Sequence, residues 1–292
     1  MARNFNSSLR DLREYDAIRA ALLTGRAPVS VSGCVDSELV QLAVEFSGSG
    51  RHILLLTYNE VRAKELYEDA QTFTDAAYLY PSKDLLFFDA DIRGSLLTRQ
   101  RMNALRMLLE KDACLIVSTV DALLCRMSAP ALLKKQRLFF RPGDRTDVEK
   151  LCRQLAKMGY ERTPVVEMPG EFALRGGILD IFLLTEENPV RLEFFDDEID
   201  SLRSFDAESQ RSIENLSEIT IYPAGEDQDE SASLLDYLSS SDILVLDEPE
   251  RMKEKADAVA KEYQESAVRR LEEASGPIAM PQLTEPDRKS VV

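Results

Sequence analysis

Between residue 27 and about residue 127, short apolar runs alternate with stretches whose apolar positions recur every three or four residues. Runs too short for helices read as buried strands, and the three-to-four spacing reads as amphipathic helix. PVSVSG, HILLLT, AAYLY and ACLIVST are the expected strands. ELVQLAVEFS, NEVRAKELYEDAQTF, LLTRQRMNALRMLLEK and the short VDALLCRM are the expected helices, with Asn59 placed to cap the second. Apolar strands separated by amphipathic helices imply a parallel sheet covered on both faces. Ahead of this, Leu9, Leu12, Tyr15, Ile18 and Leu22 mark an N-terminal amphipathic helix.

From Arg137 to about Asp206 the texture changes to one helix (DVEKLCRQLAKMG) followed by strands of period two. ERTPVVEMPGEFALRGGILDIFLL reads as two strands around a Pro169-Gly170 turn, and ENPVRLEFFDDEIDSLRSFD as two more around Asp196-Asp197. After TIYPA and the acidic loop GEDQDESAS come a short helix (SLLDYLS), the strand DILVLDE and a charged helix. DILVLDE has the apolar texture of the first sheet, so the α+β unit reads as an insertion in an α/β domain. The tail GPIAMPQLTEPDRKSVV carries no periodicity.

The totals narrow the classes. The chain has 292 residues, 44% hydrophobic and 30% charged, which suits about two globular domains of ~150 residues each. A formal net charge of -16 disfavours general binding to nucleic acid or membrane, because phosphate affinity needs Lys and Arg. No run approaches the ~18 apolar residues of a membrane helix. Four scattered cysteines without a C-x-x-C fit a reduced, cytoplasmic setting.

Three places invite chemistry. The stretch VSGCVDSEL lies where an α/β protein puts a phosphate loop, between an expected strand (Val29–Val31) and a helix. A working loop reads G-x-x-x-x-G-K-[ST]. Here Gly33 and Ser37 stand, Val35 takes the second glycine's place and Asp36 the lysine's. A carboxylate at about 4 Å from a phosphate costs several kcal/mol at an effective dielectric near 20, so ATP hydrolysis is disfavoured. An ordinary turn with Asp36 or Ser37 capping the helix satisfies the same residues. Asp247-Glu248 after ILVL imitates the acidic end of a Mg²⁺-holding strand, and is equally the acidic turn that ends many buried strands. His52, the single histidine, has no Cys or His neighbour in sequence and reads as a strand-entry residue rather than a metal ligand.

On the inserted unit, period two sets Arg191, Glu193 and Phe195 on one side and Leu192 and Phe194 on the other. Phe172 and Leu174 share a face opposite Ala173 and Arg175, and Arg162 opens the preceding strand. Arginine and aromatics on one sheet face suit a protein-binding hot spot. A solvated face with cross-strand Arg–Glu pairs suits them as well.

HILLLTYNEVRAKELYED, TRQRMNALRMLLEKDACLIVST, EFALRGGILDIF, RLEFFDDEIDSLRSFD and ENLSEITIYPA together resemble the N-terminal module of the bacterial transcription-repair coupling factors, the Mfd family. That module is similar to the first part of the excision-repair helicase UvrB. The resemblance implies a degenerate RecA/helicase-like parallel-sheet domain with an inserted α+β domain, an α/β fold overall. It implies an N-terminal helix (1–26) packing with domain 1b, domain 1a at 27–133, domain 2 at 134–222, and domain 1b with the tail at 223–292. It also implies a non-catalytic module that needs no cofactor or metal and recruits UvrA through domain 2. The UvrB docking arginines and glutamate fall on Arg162, Arg175, Arg191 and Glu193, with Phe172 and Phe195 beside them, while one arginine of the pattern is Ala173 here. Full-length members bind RNA polymerase and double-stranded DNA through regions this chain lacks. A DNA-clamping hairpin is missing as well, with only Asp89–Leu97 at its place. The competing expectation is a UvrB-type ATP-dependent helicase subunit.

Overall fold

A computed structural model describes residues 8–11, 13–47, 50–83, 91–110, 112–226 and 231–273. The chain divides into two compact units, residues 1–82, 111–126 and 238–292 in one, residues 83–110 and 127–237 in the other.

The first unit opens with α1 (Arg13–Leu23) and α2 (Asp36–Ser47), followed by β1 (Ile53–Thr57), α3 (Glu60–Phe73) and β2 (Ala77–Tyr80). The chain then leaves through α4 (Asp91–Leu109) and returns as β3 (Leu115–Thr119) and α5 (Val120–Leu124). Asn59 caps α3 as its sequence suggests, accepting the Arg62 N–H at 2.8 Å. Every residue of β1 and β3 is buried, including the polar Thr57, Ser118 and Thr119 at their C-terminal ends, which is why both strands open as apolar runs without alternation. Tyr15 of α1 stacks on Phe46 of α2 with ring centroids 5.5 Å apart.

The second unit takes α4, then α6 (Pro130–Gln136), β4 (Leu138–Phe140), α7 (Val148–Lys157), β5 (Glu161–Arg162), β6 (Glu171–Arg175), β7 (Ile178–Ile181), β8 (Val190–Phe195), β9 (Glu198–Phe205), β10 (Ser212–Asn215) and β11 (Ile219–Ile221). Six of these strands form one sheet in the order β10-β9-β8-β7-β6-β5, antiparallel except for the β5–β6 pair. Leu151, Cys152 and Leu155 on α7 pack with Phe172, Leu179, Ile181, Val190, Leu192, Ile199 and Leu202 into the core on one sheet face. The chain then re-enters the first unit as β12 (Ile243–Leu246) and α8 (Pro249–Glu273). β12 pairs in parallel with β1, giving a parallel sheet in the order β12-β1-β3-β2. The return of DILVLDE to the first sheet, and with it an α/β architecture carrying an insertion, is as the pattern predicts.

Two expectations change. PVSVSG forms no strand; Val31 and its neighbours Ser30 and Ser32 are exposed. Both sides of β1 are already taken by β3 and β12, and two valines flanked by serines offer little apolar surface to bury elsewhere. The hairpin in the arginine-bearing segment turns at Gly176-Gly177 rather than at Pro169-Gly170, because Arg175 pairs with Ile178. Gly176 has φ 62, and a Cβ on Gly177 would meet the Phe194 carbonyl oxygen at 3.0 Å, so this turn needs its glycines. Pro169-Gly170 instead leads into β6, beside which β5 runs parallel. The second unit also takes in residues 91–110, 223–226 and 231–237. The Arg101 guanidinium holds the Glu226 carboxylate through Nε at 2.5 Å and Nη2 at 3.0 Å, and Arg106 pairs with Glu186 at 3.1 Å. These pairs tie α4 into that unit. Residues 89 and 90 of the run Asp89–Leu97, the middle of the acidic loop and the tail from residue 274 lie outside the described residues.

Candidate functional site

The β6–β9 ladder decides which side chains meet. Ala173 pairs with Asp180, Asp180 with Arg191, and Arg191 with Arg203. One step toward the hairpin ends, Arg175 pairs with Ile178, Ile178 with Glu193, and Glu193 with Ser201. Paired residues in a ladder share a face, and so do residues two apart on a strand. Arg175, Asp180, Arg191, Glu193 and Arg203 therefore stand on the sheet face opposite the α7 core.

Asp180 is the centre of this group. Its side chain is 1% exposed. It accepts from Arg175 Nη2 at 2.7 Å, from Arg191 Nε at 2.6 Å and from Arg191 Nη2 at 2.9 Å. Arg191 also donates to Gln210 Oε1 at 3.1 Å and lies over the Phe205 ring, 4.3 Å from its centroid. These partners leave Arg191 only 14% exposed, and its hydrogen bonds to Asp180 raise its pKa above the ordinary guanidinium value. Arg175 is different: it is 46% exposed, and among the described residues its side chain is partnered by Asp180 alone. Glu193 accepts from Ser201 Oγ at 2.8 Å and forms a short ion pair with Arg203 Nη2. The cross-strand acid–arginine pairing that the alternation allows is thus present. It uses Asp180 and Arg203, which period-two reading alone did not single out. Asp180 alternates with the core residues Leu179 and Ile181, but only the strand register shows that it faces Arg191.

Phe195 closes β8 at the hairpin tip and is 80% exposed. The register steps from Glu193–Ser201 to Phe194–Ile199, so Asp200 is the extra residue of a bulge on β9. Phe194 stays against the core, and Phe195 falls on the face of Arg191 and Glu193, as the alternation predicts. Asp196 turns the chain with φ 59.

Two residues of the predicted set are elsewhere. Phe172 is 1% exposed and belongs to the α7 core, so its side chain cannot reach a partner. Arg162 pairs with Phe172 in the β5–β6 ladder, which turns it to the α7 side, where burial pushes the Cys152 thiol up and the Arg162 charge opposes that rise. It is exposed, but on the other face from Arg175 and Arg191.

In the first unit, the half-motifs take ordinary structural roles. Gly33 has φ 86 in an exposed segment that does not follow a strand, so the strand–loop–helix setting of a phosphate loop is not formed. α2 starts at Asp36, Ser37 is exposed, and Glu38 reaches back to accept the Val35 N–H at 3.2 Å. That is the back-bonding half of a capping box, supplied by a residue other than Asp36 or Ser37. Asp247 is buried, accepting from Thr57 Oγ1 at 2.9 Å and pairing with Arg62 Nε at 3.1 Å. Glu248 is exposed with φ 56. His52 lies at the entry to β1, its Nδ1 3.2 Å from the Cys114 sulfur. Among the described residues no group of His, Cys, Asp and Glu is arranged to hold a metal, and no helix is long and apolar enough to cross a membrane.

Comparison with known proteins gives a family match within the inserted unit and relatives that match over a longer stretch of the chain. The sequence profile of the family described as "UvrB interaction domain" matches residues 138–226. The transcription-repair-coupling factor of Bacillus subtilis (strain 168) is 34% identical over 211 residues, 67% of this chain. That of Staphylococcus aureus (strain bovine RF122 / ET3-1) is 32% identical over 223 residues, 76% of this chain. The chain spans about 18% of the length of each of these relatives.

Proposed function

We propose, for a chain that carries a UvrB interaction domain at residues 138–226 and is a relative of the transcription-repair-coupling factors, that it is a docking module which recruits UvrA for transcription-coupled excision repair. The observation that carries this reading is a coincidence of place. The family match covers the same strands that present Arg175, Glu193 and Phe195 on one face, with Arg191 braced beneath. A half-exposed arginine and an exposed aromatic on one sheet face have the composition of a binding hot spot. The module acts without catalysis of its own. Asp247 is committed to Thr57 and Arg62, and the Gly33 loop carries Asp36 in place of a lysine. RNA polymerase and double-stranded DNA are contacted by other parts of the longer proteins.

Binding to purified UvrA, measured by interferometry, tests the reading. The wild-type chain should bind, and Arg175→Ala and Phe195→Ala should each weaken association by more than about 1 kcal/mol with unchanged circular dichroism. Wild-type affinity in both variants would remove the docking assignment.

A further inference from the structure

We propose that Asp180 is a positioning residue of the docking face: it locks Arg191 into the sheet and holds Arg175 out, one side of its guanidinium engaged and the other free for a carboxylate of the partner. The inference rests on the docking reading given above and adds how the face is built.

The argument starts from the burial of a charge. A carboxylate with 1% exposure is stable only if cations and hydrogen bonds replace its lost water. Asp180 gets three such bonds, two from Arg191 and one from Arg175. The directly opposite position on β6 is Ala173, too short to contribute, so Arg175 comes in from the diagonal position. Of the two cations, Arg191 is spent. Its Nε and Nη2 are bound to Asp180 and Gln210, and its plane is stacked on Phe205. Arg175 commits a single nitrogen, Nη2, and remains 46% exposed. Guanidinium is a rigid planar fork with five donors, so anchoring one nitrogen sets the direction of the rest. A free arginine would lose rotamer freedom when a partner captured it; one already tethered to a buried acid loses less. The chemistry that fits the free side of this fork is a carboxylate, bound through charge-assisted hydrogen bonds.

The test is a double-mutant cycle on UvrA affinity with the full chain: wild type, Asp180→Asn, Arg175→Ala and the double variant, each checked for folding by thermal melt. Arg175→Ala should weaken binding about tenfold or more. Asp180→Asn should weaken it severalfold, and the double variant should bind no worse than Arg175→Ala alone, because Asp180 acts through Arg175. A merely structural Asp180 would give losses that multiply, and that result overturns the proposal while leaving the docking face standing. If Asp180→Asn does not fold, Arg175→Lys decides: a single ammonium lacks the second edge, so it should lose nearly as much as the alanine. Wild-type binding by Arg175→Lys overturns the proposal. Wild-type binding by Arg175→Ala, or failure of the wild-type chain to bind UvrA, removes the docking reading and this inference together.

Discussion

Arg175 and Arg191 look equivalent in sequence, yet their burial gives them opposite mutational signatures. Removing Arg191 strips the buried Asp180 of two of its three hydrogen bonds. Breaking a buried pair in this way costs about 3 kcal/mol, so urea unfolding of Arg191→Ala should show a clear loss of stability. Arg175 sits at the rim, and its alanine variant should stay within about 1 kcal/mol of wild type in the same experiment. Loss of UvrA binding by Arg191→Ala therefore mixes folding with docking, whereas loss by Arg175→Ala does not. Glu226 gives a pH signature. Burial alone pushes its carboxyl up, but the Arg101 guanidinium, with Lys83, outweighs burial and holds its pKa below the ordinary 4.5. A depressed folded-state pKa adds stability above the unfolded value, and that contribution is lost as pH falls through the folded value. Unfolding free energies of wild type and Glu226→Gln should differ most at neutral pH and converge in acid, below the ordinary carboxylate range. A constant gap would show that the ion pair is not the source of the difference.

At the scale of elements, two hairpins present the face, and each depends on its turn. The β6–β7 turn is Gly176-Gly177. Alanine at 177 brings a Cβ to 3.0 Å from the Phe194 carbonyl oxygen, a backbone atom that cannot step aside without disturbing β8. Gly177→Ala should cost about 1–2 kcal/mol in chemical denaturation and should also lower UvrA affinity, since β8 carries Arg191 and Glu193. The β8–β9 turn places Asp196 at φ 59, a conformation Asn and Gly accept and β-branched residues resist. Asp196→Asn should therefore be neutral to folding, and Asp196→Val should cost about 1–2 kcal/mol by the same measurement. The sequence made the second turn legible, because Asp-Asp sits between two clean alternating runs. It misled about the first: Pro169-Gly170 carries the stronger turn signature, while the true turn is marked only by a Gly pair whose need arises from a carbonyl on a neighbouring strand.

For the whole molecule, the chain path matters most. β12 reaches the first sheet only after the second unit is complete, and Asp247 at its end ties Arg62 and Thr57 together across a sequence separation of 185 and 190 residues. A chain ending after Tyr237 should lose order in the first unit while the second keeps its fold and its UvrA affinity. Limited proteolysis followed by a binding assay checks this, and loss of UvrA binding on truncation would tie docking to the first unit. The same ion pair bears on nucleotide. Any ligand of the native state raises its melting temperature, and with Asp247 engaged, ATP-Mg²⁺ should leave the melting curve of this chain unmoved. A reproducible upward shift would revive the helicase-subunit alternative.

The sequence by itself determined the parallel sheet, the inserted α+β unit, the return of the chain through DILVLDE and the outward face of Arg191, Glu193 and Phe195. Each is a local periodic signal: buried runs for strands covered on both sides, period two for a sheet with one core face. Tertiary structure decided the rest. It left PVSVSG unpaired, set Arg162 and Phe172 on the α7 side, gave α4 to the second unit and put Asp180 beneath the arginines. These outcomes depend on which strands become neighbours and in what register. Register is a property of two segments at once, so neither segment's pattern contains it.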